Sequence, residues 1–156
     1  MGALSGGSSV ANVFDVADYI LKECGEMPAM KLQKLVYYSQ AWSLVWDEAP
    51  IFDEDIEAWA NGPVVRALYA QHRLHYSARR TMFESGDYSR LTTDQRETVD
   101  AVIHYYGDKS SQWLSDLTHM EDPWIDARQG LDPGERGHTV ISHASLGEYY
   151  TGLRPE

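Results

Sequence analysis

At 156 residues with 43% hydrophobic side chains, the chain is long enough for one domain with a real core and needs no disulfide or metal staple. Its 13 basic and 24 acidic residues leave a net charge of −11, which disfavours general nucleic-acid binding and favours a basic protein partner. No apolar run is long enough to span a membrane, and the single cysteine, Cys24, allows no internal disulfide, so a reducing cytoplasm is expected.

The opening stretch, MGALSGGSSV, lacks the charge and hydrophobic region of a signal peptide and reads as a flexible leader over residues 1–9. Val13 to Cys24 is the clearest amphipathic helix: Val13, Val16, Ala17, Ile20, Leu21 and Cys24 share a stripe, Asn12 can cap its start and Gly25 its end. Cys24 is therefore expected to be a buried thiol. From about Pro28 to Trp46 the pattern is apolar nearly all round, which predicts a central buried helix, with Lys31 and Lys34 keeping its first turns partly wet.

Ile56 to Trp59 is a short strand candidate, and Asn61-Gly62-Pro63 predicts a turn that starts a helix carrying Val64, Val65, Leu68 and His72 on one face. Tyr76 to Ser89 shows no periodicity and is expected to be a mobile loop. Leu91 to Tyr106 returns to helix, with Thr92 and Gln95 fitting a capping box. Ser110 or Ser111 caps the next helix, in which Trp113, Leu114 and Leu117 point inward; Pro123 stops it, and Asp122-Pro123 restarts a turn with Trp124 and Ile125. Gly130 to His138 is a loop, Thr139 to Ser142 a short strand candidate, and Leu146, Tyr149 and Tyr150 mark a last helix. The expected fold is mainly α: a compact single-domain bundle of about six to seven helices around a buried central helix, with at most one two-stranded β element joining 56–59 to 139–142. The domain is expected over 10–151, with 152–156 a tail.

KLQKLVYYSQAW followed by IEAWANGPVVRALY resembles the signature of the Panacea-domain family, the SocA-like and phage-associated GepA-like bacterial proteins. YYG at Tyr105 to Gly107, LSDLTHMEDPWIDAR at Leu114 to Arg128 and a final Ile141 to Tyr150 segment agree, so the resemblance covers about Val13 to Tyr150. Its motif positions are Lys31, Gln33, Lys34, Tyr37, Tyr38 and Trp42, then Glu57, Trp59, Gly62 and Pro63, then His119, Pro123, Trp124 and Arg128. The resemblance implies an antitoxin that neutralises a cognate toxin of a toxin-antitoxin system. Its SocA branch implies an adaptor that delivers the toxin to an ATP-dependent protease.

No chemistry stands out beside it. Six histidines invite a metal, yet no H-E-x-x-H or cysteine pair is present, and phosphate-loop and hydrolase-elbow patterns are missing. A hydrolase drawn from Glu57, His119 and Asp122 has nothing in its spacing to bring the three together. Catalytic, cofactor and metal residues are accordingly expected to be none.

Tyr, Trp and Arg carry binding energy at interfaces, and five tryptophans and ten tyrosines are many for this length. Tyr37, Trp42, Trp46 and Trp59 are expected in the core. No acid lies between Glu57 and Glu84, so a basic face is expected with Arg66, Tyr69, Arg73, Tyr76, Arg79 and Arg80 as partner contacts, and Asp53, Glu54 and Asp55 as a second contact for a basic toxin. A DNA-binding autorepressor has only the arginine cluster in its favour and the net charge against it.

Overall fold

The computed structural model describes residues 11–153; the anticipated leader and the end of the anticipated tail lie outside them. Helix α1 (Val13–Cys24) begins with a capping box, in which the Asn12 side chain accepts from the Asp15 N–H while the Asp15 carboxylate accepts from the Asn12 N–H. A short strand β1 (Met27–Pro28) leads into α2 (Ala29–Trp46), the central helix, which packs against α1 and against later segments that include Gly62–Val65, Thr93–Tyr106, Ser111–Thr118 and His143–Leu153. The chain continues through β2 (Ile56–Trp59), β3 (Gly62–Val65), α3 (Arg66–His72) and β4 (Ser77–Ala78). Then come two single 3₁₀ turns, α4 (Thr93–Tyr106), α5 (Ser111–Thr118), α6 (Asp122–Ala127) and α7 (His143–Leu153). The protein is mainly helical, and its described β structure is two two-stranded antiparallel ladders.

Because α2 is buried on almost all sides, its polar side chains have to find partners inside the protein. Gln40 accepts from the Ile51 N–H at 2.8 Å and donates to the Phe52 carbonyl at 2.8 Å, fixing the segment that leaves α2. Gln33 does the same for the end of β3, accepting from the Val65 N–H at 2.9 Å and donating to the Val65 carbonyl at 3.2 Å. Tyr38 stacks on Tyr106 with ring centroids 4.1 Å apart and donates its hydroxyl to the buried Glu121 carboxylate at 2.7 Å. Tyr150 of α7 donates to the same oxygen at 2.7 Å, and Tyr37 meets Tyr150 at 3.0 Å, so one acid ties α2 to α7 at the head of α6. Burial raises the Glu121 pKa; the two hydroxyls act in the opposite direction.

The expected strand at 56–59 forms, but its ladder partner is β3 rather than 139–142. Ala60 and Asn61 make the turn, Gly62 sits at φ 125°, and Pro63 lies in the ladder opposite Ala58, so the helix begins three residues later than Pro63 suggests. Proline fits there because β3 is an edge that needs no N–H at that position. The 139–141 segment runs along the other edge of β2 through a single bridge, with the Ala58 N–H donating to the Thr139 carbonyl and the Ile141 N–H to that of Ile56.

The stretch from Tyr76 to Ser89 is not the loose loop its aperiodic sequence suggests. Ser77 and Ala78 pair with Pro28 and Met27, Phe83 is buried, and two carboxylates from α1 reach across to hold the rest. Asp18 accepts from Arg80 Nε at 2.7 Å and the Tyr88 N–H at 3.0 Å; Asp15 accepts from the Asp87 N–H at 2.8 Å and Arg90 Nη1 at 2.9 Å. Helical periodicity sees only apolar stripes, so it misses a segment anchored by acids on another element.

Several side chains depart from their expected burial. Trp46 and Trp113 are each 43% exposed at the rim of the core, Trp59 and Leu117 are only half-buried, Cys24 is exposed at the end of α1, and Lys34, expected to be wet, is 1% exposed. Replacing Asp18 with Ala removes the acceptor of the Arg80 side chain and the Tyr88 N–H together. We expect it to lower stability by about 1–3 kcal/mol in urea unfolding and to speed amide exchange in the segment from Arg80 to Arg90.

Candidate functional site

Lys34 enters the fold from the second turn of α2 and ends against the β2–β3 turn. Its Nζ has one long hydrogen bond, 3.5 Å to the Pro63 carbonyl, and among the described residues it has no ion-pair partner. Gly62 makes the room: a Cβ there would stand 2.6 Å from Lys34 Cε, and the positive φ suits glycine alone. Burial pushes the Lys34 pKa down to about 7, because a buried ammonium loses its hydration with little in return.

Beside it, His119 follows the last turn of α5 and stacks on Trp124 with centroids 4.1 Å apart. Its Nε2 is buried without a hydrogen-bond partner among the described residues. Burial first, and then the nearby Lys34 charge, lowers the His119 pKa. The Ser115 hydroxyl donates to the Asn61 carbonyl at 2.7 Å, fastening α5 to the hairpin turn, and the Thr118 hydroxyl donates back to the Ser115 carbonyl at 2.7 Å within α5. Lys34, His119, Asn61 and Ser115 together line a groove of about 680 Å³ that is also bordered by Met30, Lys31 and Tyr76.

Two further depressions adjoin it. One, about 350 Å³, lies between Pro28, Tyr69, His72, Arg73, His75 and Tyr76; the other, about 480 Å³, lies between Trp59, Arg66, Tyr69, Arg136 and His138. Met30 lines all three, and no aspartate or glutamate lines any of them. A protein of net charge −11 therefore has one continuous concave face of cations, histidines and aromatics. Glu57 lies behind this face and compensates one cation: it accepts from Arg66 Nε at 3.0 Å and Nη2 at 2.8 Å, and from Trp59 Nε1 at 2.9 Å. Burial alone would raise the Glu57 pKa, but these bonds and the Arg66 charge hold it below the usual carboxylate value.

The chain matches the family model for the antitoxin SocA-like Panacea domain over residues 32–125. The chain belongs to this family. No curated protein and no solved structure matches it.

Several of the residues expected as motif positions lie at the seams of the fold. Lys31 donates to the Gly107 carbonyl at 2.7 Å, Trp42 to the Tyr106 hydroxyl at 3.0 Å, Trp124 to the Trp59 carbonyl at 2.8 Å and Arg128 to the Ala58 carbonyl at 3.0 Å. Pro123 stands in the first turn of α6 rather than at the end of α5. No hydrogen bond joins Glu57, His119 and Asp122, and among the described residues no three His, Cys, Asp or Glu side chains cluster as a metal site would require.

Of the expected contact residues, Tyr69, Arg73, Tyr76 and Arg66 border the face, with Arg73 and Tyr76 exposed and Arg73 without an ion-pair partner among the described residues. Arg79 is exposed beyond it, whereas Arg80 turns to Asp18. Asp53 and Asp55 are exposed, and Glu54 accepts from the Val13 N–H at the start of α1. Sequence reading missed Lys34, His119, Asn61, Arg136 and His138 as neighbours of this surface, because four separate segments bring them together.

Lys34 has a measurable signature. Its folded pKa lies below its unfolded value of 10.5, so below pH about 7 the unfolded chain binds a proton that the folded protein does not hold favourably, and folding bears the full cost. The cost fades as pH rises toward 10.5. We expect stability in urea to contain a component that rises over this window, by a few kcal/mol, and Lys34→Met to remove that component and raise stability at neutral pH.

Proposed function

We propose that this Panacea domain is a cytoplasmic antitoxin that neutralises a cognate toxin by binding it through the acid-free face around Met30. Family membership supports the antitoxin role, and the observation that carries the placement is three adjoining grooves without a lining carboxylate on a strongly acidic domain. Arg73 and Tyr76 are the residue types that anchor interfaces, and they are exposed on the rim of these grooves. Grooves of this size take side chains of a partner one at a time, so a preformed surface can cover a toxin's working site without chemistry of its own. The exposed Asp53 and Asp55 would steer a toxin with a basic flank, which affects the rate of association more than its strength. Delivery of the bound toxin to an ATP-dependent protease would engage the same face, and would show as a toxin half-life that shortens only when both this domain and the protease are present.

The test is growth rescue. The domain is co-expressed with the protein encoded beside it, and binding is measured after co-purification. Changing Arg73 to Glu and Tyr76 to Ala together should leave the circular dichroism and urea midpoint near wild type. It should weaken the complex tenfold or more, about 1.4 kcal/mol, and abolish rescue. Undiminished rescue by the folded double variant overturns the placement; a wild-type domain that neither binds nor rescues overturns the antitoxin reading.

A further inference from the structure

The groove over Lys34 combines two kinds of unmet demand. The ammonium is enclosed with one weak carbonyl contact, and His119 Nε2 is enclosed with none. Buried polar atoms left in this way are costly, and the ammonium, with the imidazole in the tautomer that carries its proton on Nε2, favours an acceptor at this place. The surrounding groups are donors or neutral: Lys31, Asn61, Gln112 and Ser115 line the same groove, and no carboxylate does.

We propose that this groove is a receptor for a single carboxylate, an Asp or Glu side chain on an acidic segment of the bound toxin, held by Lys34 Nζ and His119 Nε2. The proposal rests on the toxin-binding reading and adds to it the chemistry of one contact. Charge complementarity selects the occupant. A polyanion such as nucleic acid would meet the repulsion of a −11 domain along its whole length, whereas one carboxylate needs only a local cation.

The geometry also couples the contact to a proton. From α3, His72 faces Lys34 and is lowered by burial first and then by the Lys34 charge; from α5, His119 feels the same charge, with Asp116 opposing it and Arg128 adding to it. Burial works against an ammonium at Lys34 in the free protein. A carboxylate entering the groove favours it instead, so binding takes up a proton and weakens as pH rises above about 7.

The experiment is an NMR titration of the full chain carrying ¹³Cε-labelled lysine. The probes are N-acetyl-Gly-Glu-Gly-amide, its Gln counterpart and inorganic phosphate. The Glu peptide is expected to shift Lys34 Cε and the His119 ring, to raise the Lys34 pKa by about one unit or more, and to bind progressively more weakly above neutral pH. The Gln peptide should leave both signals in place, and Lys34→Met should lose the His119 response. Equal responses to the Glu and Gln peptides, or a response to phosphate with none to the Glu peptide, overturn the proposal, as does silence from all three. No toxin is present in this experiment, so a silent titration beside intact rescue removes the carboxylate contact and leaves toxin neutralisation standing.

Discussion

A helix enclosed on all sides cannot send its polar side chains to water, and that constraint on α2 shapes the rest of the molecule. Each polar tip has to be met by something brought in from elsewhere in the chain. Gln33 and Gln40, seven residues and so two turns apart, lie one above the other and each grips the backbone of another segment, Gln33 that of Val65 at the end of the β2–β3 ladder and Gln40 that of Ile51 and Phe52. The segment after α2 is therefore positioned by a side chain, and the end of β3 by a side chain in addition to its ladder.

The neighbouring row of the same helix, Lys34, Tyr38 and Trp42 at i, i+4 and i+8, faces a different set of elements. Trp42 donates to Tyr106 of α4, Tyr38 to Glu121 before α6, and Lys34 extends to the hairpin turn beside α5. One row thus registers α4, α6 and the hairpin against a single axis. The two rows together explain why only two short ladders suffice: the hairpin is held from below by Gln33, from the side by Trp124 and Arg128, and along its outer edge by 139–141. The concave face forms where this hairpin meets the first turn of α2, and its position follows from those clamps.

Much of the scaffold was legible in the sequence because local signals agreed with one another. Asn12 with Asp15 and Thr92 with Gln95 are capping boxes that mark their helices without tertiary help, and an apolar pattern on all sides announced the enclosed α2. The hairpin was misread because Gly62-Pro63 suits a helix start as well as an edge strand, and what decides between them is Gln33 holding Val65, a contact across thirty-two residues. Asp15 and Asp18 carry no local sign of their long-range role, yet they anchor a segment some seventy residues away. Lys34 was misplaced for a related reason: pattern reading assigns every lysine to water, and nothing local in KLQKLVYY shows that α5 and the hairpin close over it.

The contrast between two buried charges makes Lys34 more than a misplaced side chain. Glu121 is enclosed too, but two tyrosine hydroxyls meet its carboxylate at 2.7 Å, and the acid serves as a knot between three helices. Lys34 stands one turn before Tyr38 on the same row of α2, so the Glu121 centre is its neighbour along the helix, yet no ion pair joins them and burial alone accounts for its lowered pKa. Had internal pairing been the purpose, an acid on α5 in place of Ser115 or Thr118 would have supplied it. The fold instead surrounds the base with Gly62 and a carbonyl at long range, near a histidine whose Nε2 is buried without a partner among the described residues. A methionine of similar length would fill that space with less penalty, so stability does not explain the residue. On the carboxylate-receptor proposal, a partner brings the missing charge to this open demand, and Lys34 is then the point at which the packing of the domain and the proposed binding surface meet.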